Sequence, residues 1–450
     1  MKEDKSLMVS VSGVRGILGP GMNPESAARY TAAYASLLGC RHVVVGRDTR
    51  ASGPLLSEMV VSVLRFMGID VTDLGIAATP TVEIMVGHLD ADGGIIITAS
   101  HNDEKWNALK FLDSNGEFID EKAVAAIRTS VESGDLQYRR CDPVGGYNRE
   151  DGADDVHIAR ILGLPVIDRK KISSRGMKVV IDCVNGAGSR IVPKLLGHLG
   201  VTVQELFTDV DSPFPHDPEP RPANLSDLSN AVSSSEADLG FACDPDADRL
   251  VLVDGNGNVC SEELTIALAA DYILGKEKGP VVVNLSSSRI IDDIAEKHGV
   301  VSVRSKVGEA NVISAMKDSG AVIGGEGNGG VIFPAIHYGR DAMTGIALIL
   351  QLLAEEDLSL SEKIKKLPGY EIVKKKMPFS GNMEKAMELL KNEFKGEYNT
   401  LDGMRIDMSD GWIHLRRSNT EPVVRIIAEA DNIRDAEFFV DRAITILEST

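Results

Sequence analysis

Three times along this chain a short apolar run ends in a small, polar loop. Gly94-Ile95-Ile96-Ile97 runs into Thr98-Ala99-Ser100-His101-Asn102, and Leu239-Gly240-Phe241-Ala242 into Cys243-Asp244-Pro245-Asp246-Ala247-Asp248-Arg249. Ala321-Val322-Ile323 runs into Gly324-Gly325-Glu326-Gly327-Asn328-Gly329-Gly330. Consecutive β-branched residues read as buried strands. Strands alternating with helical patterns read as parallel sheet, and ligands bind at the carboxyl ends of such strands. Three units of like order imply one repeated domain plan whose loops could face a common cleft. The units share order but little residue identity, so chance similarity is the rival reading.

Within the first unit Asn23 reads as an N-cap and Pro24 as the first helical residue. That helix carries Ala27, Tyr30, Tyr34 and Leu37 on one face and stops near Gly39. Strand His42–Val45, helix 54–67 and strand Val71–Leu74 follow. The second and third units open on the strands Lys178–Asp182 and Pro280–Asn284. After Gly369 the pattern changes to helices at 384–395 and 433–448 flanking strands Trp412–Leu415 and Val423–Ala428. The fold expected is therefore α/β, with three similar domains at 1–150, 151–256 and 257–366 and a smaller α+β domain at 367–450.

A length of 450 residues exceeds one ordinary core. The net charge of −19 argues against nucleic acid or an anionic membrane as partner. It also means that an anionic substrate requires locally gathered Arg and Lys. No apolar run approaches the roughly 18 residues that span a bilayer. The opening MKEDKSLMVS lacks an apolar stretch of signal length. The five cysteines (Cys40, Cys141, Cys183, Cys243, Cys260) are scattered without CxxC. Reduced thiols and a cytoplasmic location are the expectation.

Four stretches carry chemistry. Ser100 is offered to solvent at a strand end with His101 beside it and Lys110 a short loop away, although a Ser/Asn turn is the plainer reading. Asp244, Asp246 and Asp248 stand at i, i+2 and i+4, which on an extended segment projects all three to one side. Converging carboxylates call for a hard cation, Mg²⁺ or Ca²⁺. An EF-hand fails, because its sixth position would be Arg249 and its twelfth Gly255; a solvated acidic turn is the alternative. The glycine-rich 324–330 contains a formal GxGxxG, but Val331-Ile332-Phe333-Pro334 follows in place of a helix. Glu326 and Asn328 there suit sugar hydroxyls, and a plain turn competes. Arg416-Arg417-Ser418-Asn419-Thr420-Glu421-Pro422, with Arg425 on the next strand, can wrap a phosphate. A hairpin with exposed arginines is its rival. Alternation puts Arg416 and Arg417 on opposite faces, and the grip is assigned to Arg417.

Taken together these stretches resemble the α-D-phosphohexomutases. TASHN at 98–102 is similar to that family's phosphoserine loop, DPDADR at 244–249 to its metal loop, GEGNGG at 325–330 to its sugar loop and RRSNTEP at 416–422 to its phosphate loop. Ser12-Gly13-Val14-Arg15-Gly16, GRDTR at 46–50 and Lys306-Val307-Gly308 resemble further family elements, in the family's order. The resemblance implies four domains around a central cleft and a Ser100 phosphorylated in the resting enzyme. It implies one Mg²⁺ on Asp244, Asp246, Asp248 and a phosphoryl oxygen at Ser100. Arg15, His101, Lys110, Arg249 and Lys306 would line the reacting site, with Glu326 and Asn328 reading sugar hydroxyls. Arg417, Ser418, Asn419, Thr420 and Arg425 would grip the distal phosphate. It further implies reversible C6–C1 phosphate transfer on a hexose through a 1,6-bisphosphate, which also serves as activator, in a monomer or homodimer.

Two positions depart from the family pattern. Asp103 stands where many relatives have proline, and Gly330 where many have a histidine proposed for proton transfer. Acid–base duty then falls to His101, Lys110 or His337, and His337 is equally readable as a helix-start residue. The GEGNGG variant with GRDA at 339–342 resembles the branch assigned as phosphoglucosamine mutases, converting glucosamine 6-phosphate to glucosamine 1-phosphate. Phosphomannomutase/phosphoglucomutase is the alternative. More remote are a metal-dependent sugar phosphatase and a non-catalytic phosphosugar-binding protein.

Overall fold

The structure is a computed structural model and describes residues 6–134, 136, 143–417 and 423–450. The chain divides into two compact units, Met1–Tyr272 with Asn328–Ser361, and Ile273–Gly327 with Glu362–Thr450.

The first unit holds two sheets. In the larger, strand His42–Arg47 pairs in parallel with Asp70–Ile76 on one side and Gly93–Ile97 on the other, and Trp106–Leu112 returns antiparallel beside Gly93–Ile97. Gly13–Ile17, Leu7–Ser10 and Tyr147–Arg149 extend it to seven strands. Val43, Val45, Ile95 and Ile97 pack against one helical layer, while Val44 and Ile96 pack with Val82 and Met85 on the other. A sheet covered on both faces reads as unbroken apolar runs, which is why VVV and III occur where they do. The second sheet repeats the plan. Lys178–Asp182 lies between parallel Thr202–Leu206 and Leu239–Cys243, and Leu250–Asp254 returns antiparallel. In the second unit Val281–Asn284 likewise lies between parallel Ser302–Ser305 and Ile323–Glu326. The repeated plan expected from sequence is therefore observed three times, and each unusual loop follows the third strand.

Helix Pro24–Leu38 shows how local signals set an element. Asn23 Oδ1 accepts from the Ser26 amide at 3.0 Å, Ser26 Oγ accepts from the Asn23 amide at 3.0 Å, and Gly39 ends the helix with φ +65°. Ala27, Tyr30 and Tyr34 are buried as expected, but Leu37 is 44% exposed. It is rotated by about 60° from Tyr34 in the last turn, off the buried stripe.

The C-terminal sheet corrects the two-strand expectation. Five antiparallel strands run in the order Glu371–Pro378, Val423–Ala430, Gly411–Arg417, Met404–Met408 and Glu397–Asn399. Glu371–Pro378 was hidden because Lys374, Lys375 and Lys376 mask its period, a usual composition for an edge strand. Ile413, Leu415, Val424 and Ile426 pack beneath Phe439, Val440 and Leu447 of helix Ile433–Glu448. Among the described residues no helix is long and apolar enough to cross a membrane.

Candidate active site

Ser100 is not offered to solvent; it is 3% exposed and sits at φ +51°, in the left-handed region that non-glycine residues rarely adopt. Several bonds hold it there. The Ser100 amide donates to Thr98 Oγ1 at 2.9 Å, and Arg50 Nη2 donates to the Ser100 carbonyl at 2.9 Å and to the carbonyl of Asn102. Asp48 fixes both supports, accepting from Thr98 Oγ1 at 2.6 Å and from Arg50 Nη1 at 2.5 Å. Such over-determined backbone is common at functional sites. Arg15 Nη1 closes the loop from outside, donating to Asn102 Oδ1 at 2.6 Å.

The aspartate loop is not extended, contrary to the period-two expectation. It is a tight turn with Ala247 at φ +51°, in which the Asp248 and Arg249 amides both donate to Asp244 Oδ1 at 3.2 Å. Turn geometry, and not strand alternation, brings the carboxylates together. Gly186 lets this loop settle, since a Cβ there would lie 2.6 Å from the Pro245 backbone. One ligand oxygen from each of Asp244, Asp246 and Asp248 lies within 4.8 Å of the others, and all three residues are buried.

The two loops meet. Ser100 Oγ donates to Asp244 Oδ2 at 2.9 Å and lies 3.3 Å from His101 Nδ1. Lys110 Nζ donates to Asp246 Oδ2 at 2.6 Å, and Thr79 Oγ1 donates to the same oxygen at 2.7 Å. Arg249 Nε lies 4.0 Å from Asp244 Oδ2 and 3.8 Å from Asp248 Oδ1. Burial raises the Asp244 carboxyl well above the usual range, aided by Asp248 and Asp246. Asp246 is held low despite burial, because Lys110 faces it. For Lys110 burial opposes the charge, but Asp246 and Asp248 outweigh it and raise the ammonium further. Burial, with Arg249 and Arg15 nearby, pushes His101 well below 6.5, so its imidazole is neutral at neutral pH. A divalent cation fits this set on two counts. All donors are hard oxygens, and Asp246 Oδ1 and Asp248 Oδ1 are buried without a hydrogen-bond partner, which is costly unless something charged joins them.

His337 is a different case. Its ring nitrogens are buried, Nδ1 3.2 Å from Glu83 Oε2 and Nε2 3.7 Å from Asp341 Oδ2, while His157 Nε2 lies 3.0 Å from the same Asp341 oxygen. Asp341, and not His337, caps helix Ala342–Glu356. Burial lowers the His337 pKa, but Asp341 and Glu83 outweigh it and hold it up at about 9. With a folded value above the unfolded one of about 6.5, this charge contributes stability that is complete below about pH 6.5 and lost as pH rises through about 9, with a ceiling of about 3 kcal/mol. Urea midpoints at about pH 6 and about pH 9.5 should therefore fall more for the wild type than for His337→Gln. Equal falls would remove His337 from this role.

In the second unit Glu326 is buried and accepts from Asn284 Nδ2 at 2.8 Å and the Gly308 amide at 3.1 Å. The Val307 amide donates to Asp402 Oδ2 at 3.0 Å, so the Lys306–Gly308 segment is bracketed by two carboxylates with Lys306 itself exposed. Asn328 belongs to the first unit. Arg417 is exposed on the side of Ile413 and Leu415, and donates to the Gly381 carbonyl at 3.1 Å. Arg416 points to the opposite face, 8% exposed, with Nε 3.7 Å from Asp402 Oδ2. There it stands opposite Arg425, which in turn stands opposite Lys376. Burial lowers the Arg416 pKa, Asp402 raises it, Arg425 lowers it and Glu326 raises it. A row of like charges is unfavourable unless an anion joins it. Ser418, Asn419 and Thr420 lie outside the described residues. Sequence reasoning gave no role to Arg50, Asp48 or Thr79 and passed over Arg416 and Lys376. GRDTR was the signal available for Asp48 and Arg50, and the doubled arginine for Arg416; Thr79 and Lys376 stand outside both.

Residues 7–138, 155–257, 262–370 and 371–444 match, in turn, the alpha/beta/alpha domains I, II and III and the C-terminal domain described as phosphoglucomutase/phosphomannomutase. A protein of Methanopyrus kandleri named "Probable phosphoglucosamine mutase" is 37% identical over 443 residues, 97% of this chain and 96% of that one. A "Phosphoglucomutase/phosphomannomutase" of Thermococcus kodakarensis is 38% identical over 448 residues, 97% of each. The crystal structure of a phosphoglucomutase/phosphomannomutase family protein from Burkholderia thailandensis aligns with TM-score 0.86 at 28% identity over 98% of each chain. Fold and comparisons together define an α/β enzyme of the phosphohexomutase class, an isomerase that transfers phosphate intramolecularly. The chain belongs to the phosphoglucomutase/phosphomannomutase family, all four of whose domains it carries in order.

Proposed function

We propose that this enzyme interconverts the 6- and 1-phosphates of a hexosamine, glucosamine 6-phosphate and glucosamine 1-phosphate, with Ser100 as the phosphoryl carrier. The observation that carries the proposal is the buried Ser100 Oγ, 2.9 Å from Asp244 Oδ2 within a three-carboxylate loop. Phospho-Ser100 gives its phosphoryl group to the free sugar hydroxyl: the serine O–P bond breaks and a sugar O–P bond forms. The resulting 1,6-bisphosphate, which also primes unphosphorylated enzyme, returns its other phosphate to Ser100. Asp244, Asp246 and Asp248 would hold Mg²⁺, which supplies charge neutralisation at the transferring phosphate. Arg15 and Arg249 add fixed positive charge, and such transfer is mostly positioning plus electrostatics. His101 Nδ1, 3.3 Å from Ser100 Oγ and neutral at pH 7, is placed to exchange a proton there. Lys110 stays charged, and His337 is committed to Glu83 and Asp341.

Glucosamine as the sugar is supported by the Methanopyrus relative, and glucose or mannose as second reading by the Thermococcus one. Coupled assays on the 1-phosphates of glucosamine, glucose and mannose, each with its bisphosphate, decide between them. A kcat/KM for glucosamine 1-phosphate below either other would overturn the first choice.

For the phosphate that is not reacting we assign Arg416, Arg425 and Lys376, in place of Arg417. Arg416→Ala loses a charge-assisted contact worth about 2–3 kcal/mol, so KM should rise on the order of 30- to 150-fold in both directions. Arg417→Ala should change KM only a few-fold. The reverse ranking in steady-state kinetics would return the grip to Arg417.

A further inference from the structure

Gly330 leaves a space that the side chain of Arg340 fills. An ideal Cβ on Gly330 would lie 2.3 Å from Arg340 Cδ, 2.9 Å from Arg340 Cγ and 3.2 Å from Asn328 Oδ1. The stem of Arg340 thus runs directly over Gly330. Its guanidinium is buried, and Nη2 donates to Asp248 Oδ2 at 2.6 Å. The backbone beneath it is held on both sides. Arg340 bridges Ile332, and Asp341 accepts from the Met343 and Thr344 amides at 2.9 and 3.2 Å to start the next helix. With Oδ2 engaged, Asp248 keeps its other oxygen, Oδ1, buried without a hydrogen bond, 3.8 Å from Arg249 Nε, and the residue belongs to the buried group formed with Asp244 and Asp246.

We propose that Arg340 is a positioning residue of the metal loop. It clamps Asp248 through Oδ2 so that Oδ1 faces the cation, and residue 330 is glycine because any side chain there would lever the arginine away. The inference rests on the reading of Asp244, Asp246 and Asp248 as Mg²⁺ ligands. Its two possible contributions have opposite signs. As a mere counterion, Arg340 would repel Mg²⁺, and its removal would tighten binding. As a clamp, its removal frees the Asp248 carboxylate to rotate, and loss of such outer contacts costs metal affinity about 10- to 100-fold.

The test titrates Mg²⁺ calorimetrically into purified wild type, Arg340→Met, Gly330→Ala and the double variant, and measures kcat and KM at saturating Mg²⁺. Gly330→Ala keeps the guanidinium but displaces it, so it carries the test even if Arg340→Met folds poorly. Both single variants should bind Mg²⁺ about tenfold or more weakly. The double variant should be no worse than the weaker single, and kcat should fall while KM for the sugar phosphate stays within about twofold. Unchanged or tighter Mg²⁺ binding in the single variants, or losses that multiply in the double, would overturn the clamp. A wild type that takes up no Mg²⁺ would instead sink the metal assignment itself, before any variant is compared.

Discussion

Ser100→Ala is expected to lose turnover by several powers of ten while keeping its fold and its hold on phosphosugar, since every cycle would pass through the serine oxygen. The structural cost is small by comparison. The variant gives up the bond from Ser100 Oγ to Asp244 Oδ2 and leaves that buried oxygen without it, about 1–3 kcal/mol. The strained φ of +51° is imposed by contacts on the backbone and on neighbouring side chains, through Thr98 Oγ1 and Arg50, which alanine leaves in place. Intact-mass spectrometry of purified wild type should show a partly occupied phosphate that is absent from the variant. Residual activity above a few per cent, or the same added mass on Ser100→Ala, would remove the serine from the reaction.

The candidate loops stood out in the sequence because their residue types are unusual where they stand. A serine after three isoleucines, and three aspartates two apart, have few purely structural uses, and the structure sets Ser100 against Asp244. Their geometry was not legible. Period-two reasoning put the aspartates on an extended segment, whereas a left-handed Ala247 folds them into a turn whose amides Asp244 binds. Exposure was misjudged for the same reason. A strand-end loop is ordinarily open, but Ser100 is held by Arg50 and Asp244, and its neighbour Asn102 by Arg15, all far from it in sequence. In RRSNTEP, alternation correctly separated Arg416 from Arg417 but could not say which face bore the helices. That depended on Phe439 and Val440 packing against Ile413 and Leu415, a tertiary fact. The strands Glu371–Pro378 and Met404–Met408 went unseen because edge lysines and mixed polar residues carry little periodic signal.

Asp246→Asn should abolish activity and also lower stability, whereas chelation of the wild type should abolish activity with far less effect on unfolding. The difference follows from the two oxygens of one carboxylate. Asp246 Oδ2 takes Lys110 Nζ at 2.6 Å and Thr79 Oγ1 at 2.7 Å, and Oδ1 has no hydrogen-bond partner. Loss of a cation from the aspartate group would leave the Lys110 pair intact. Asparagine instead deprives a buried ammonium of its nearest charge, with Asp248 Oδ2 3.8 Å away, and breaking a buried pair costs about 3–5 kcal/mol. The Tm of Asp246→Asn should therefore drop by several degrees, and added Mg²⁺ should fail to restore turnover. EDTA-treated wild type should keep most of its Tm and recover fully when Mg²⁺ returns. Mn²⁺ should substitute in part and Zn²⁺ should inhibit, since zinc favours tetrahedral nitrogen and sulfur donors over an all-oxygen site. Full wild-type activity under thorough chelation would sink the metal role. An Asp246→Asn protein with unchanged Tm would show that Lys110 draws its compensation from elsewhere in the loop.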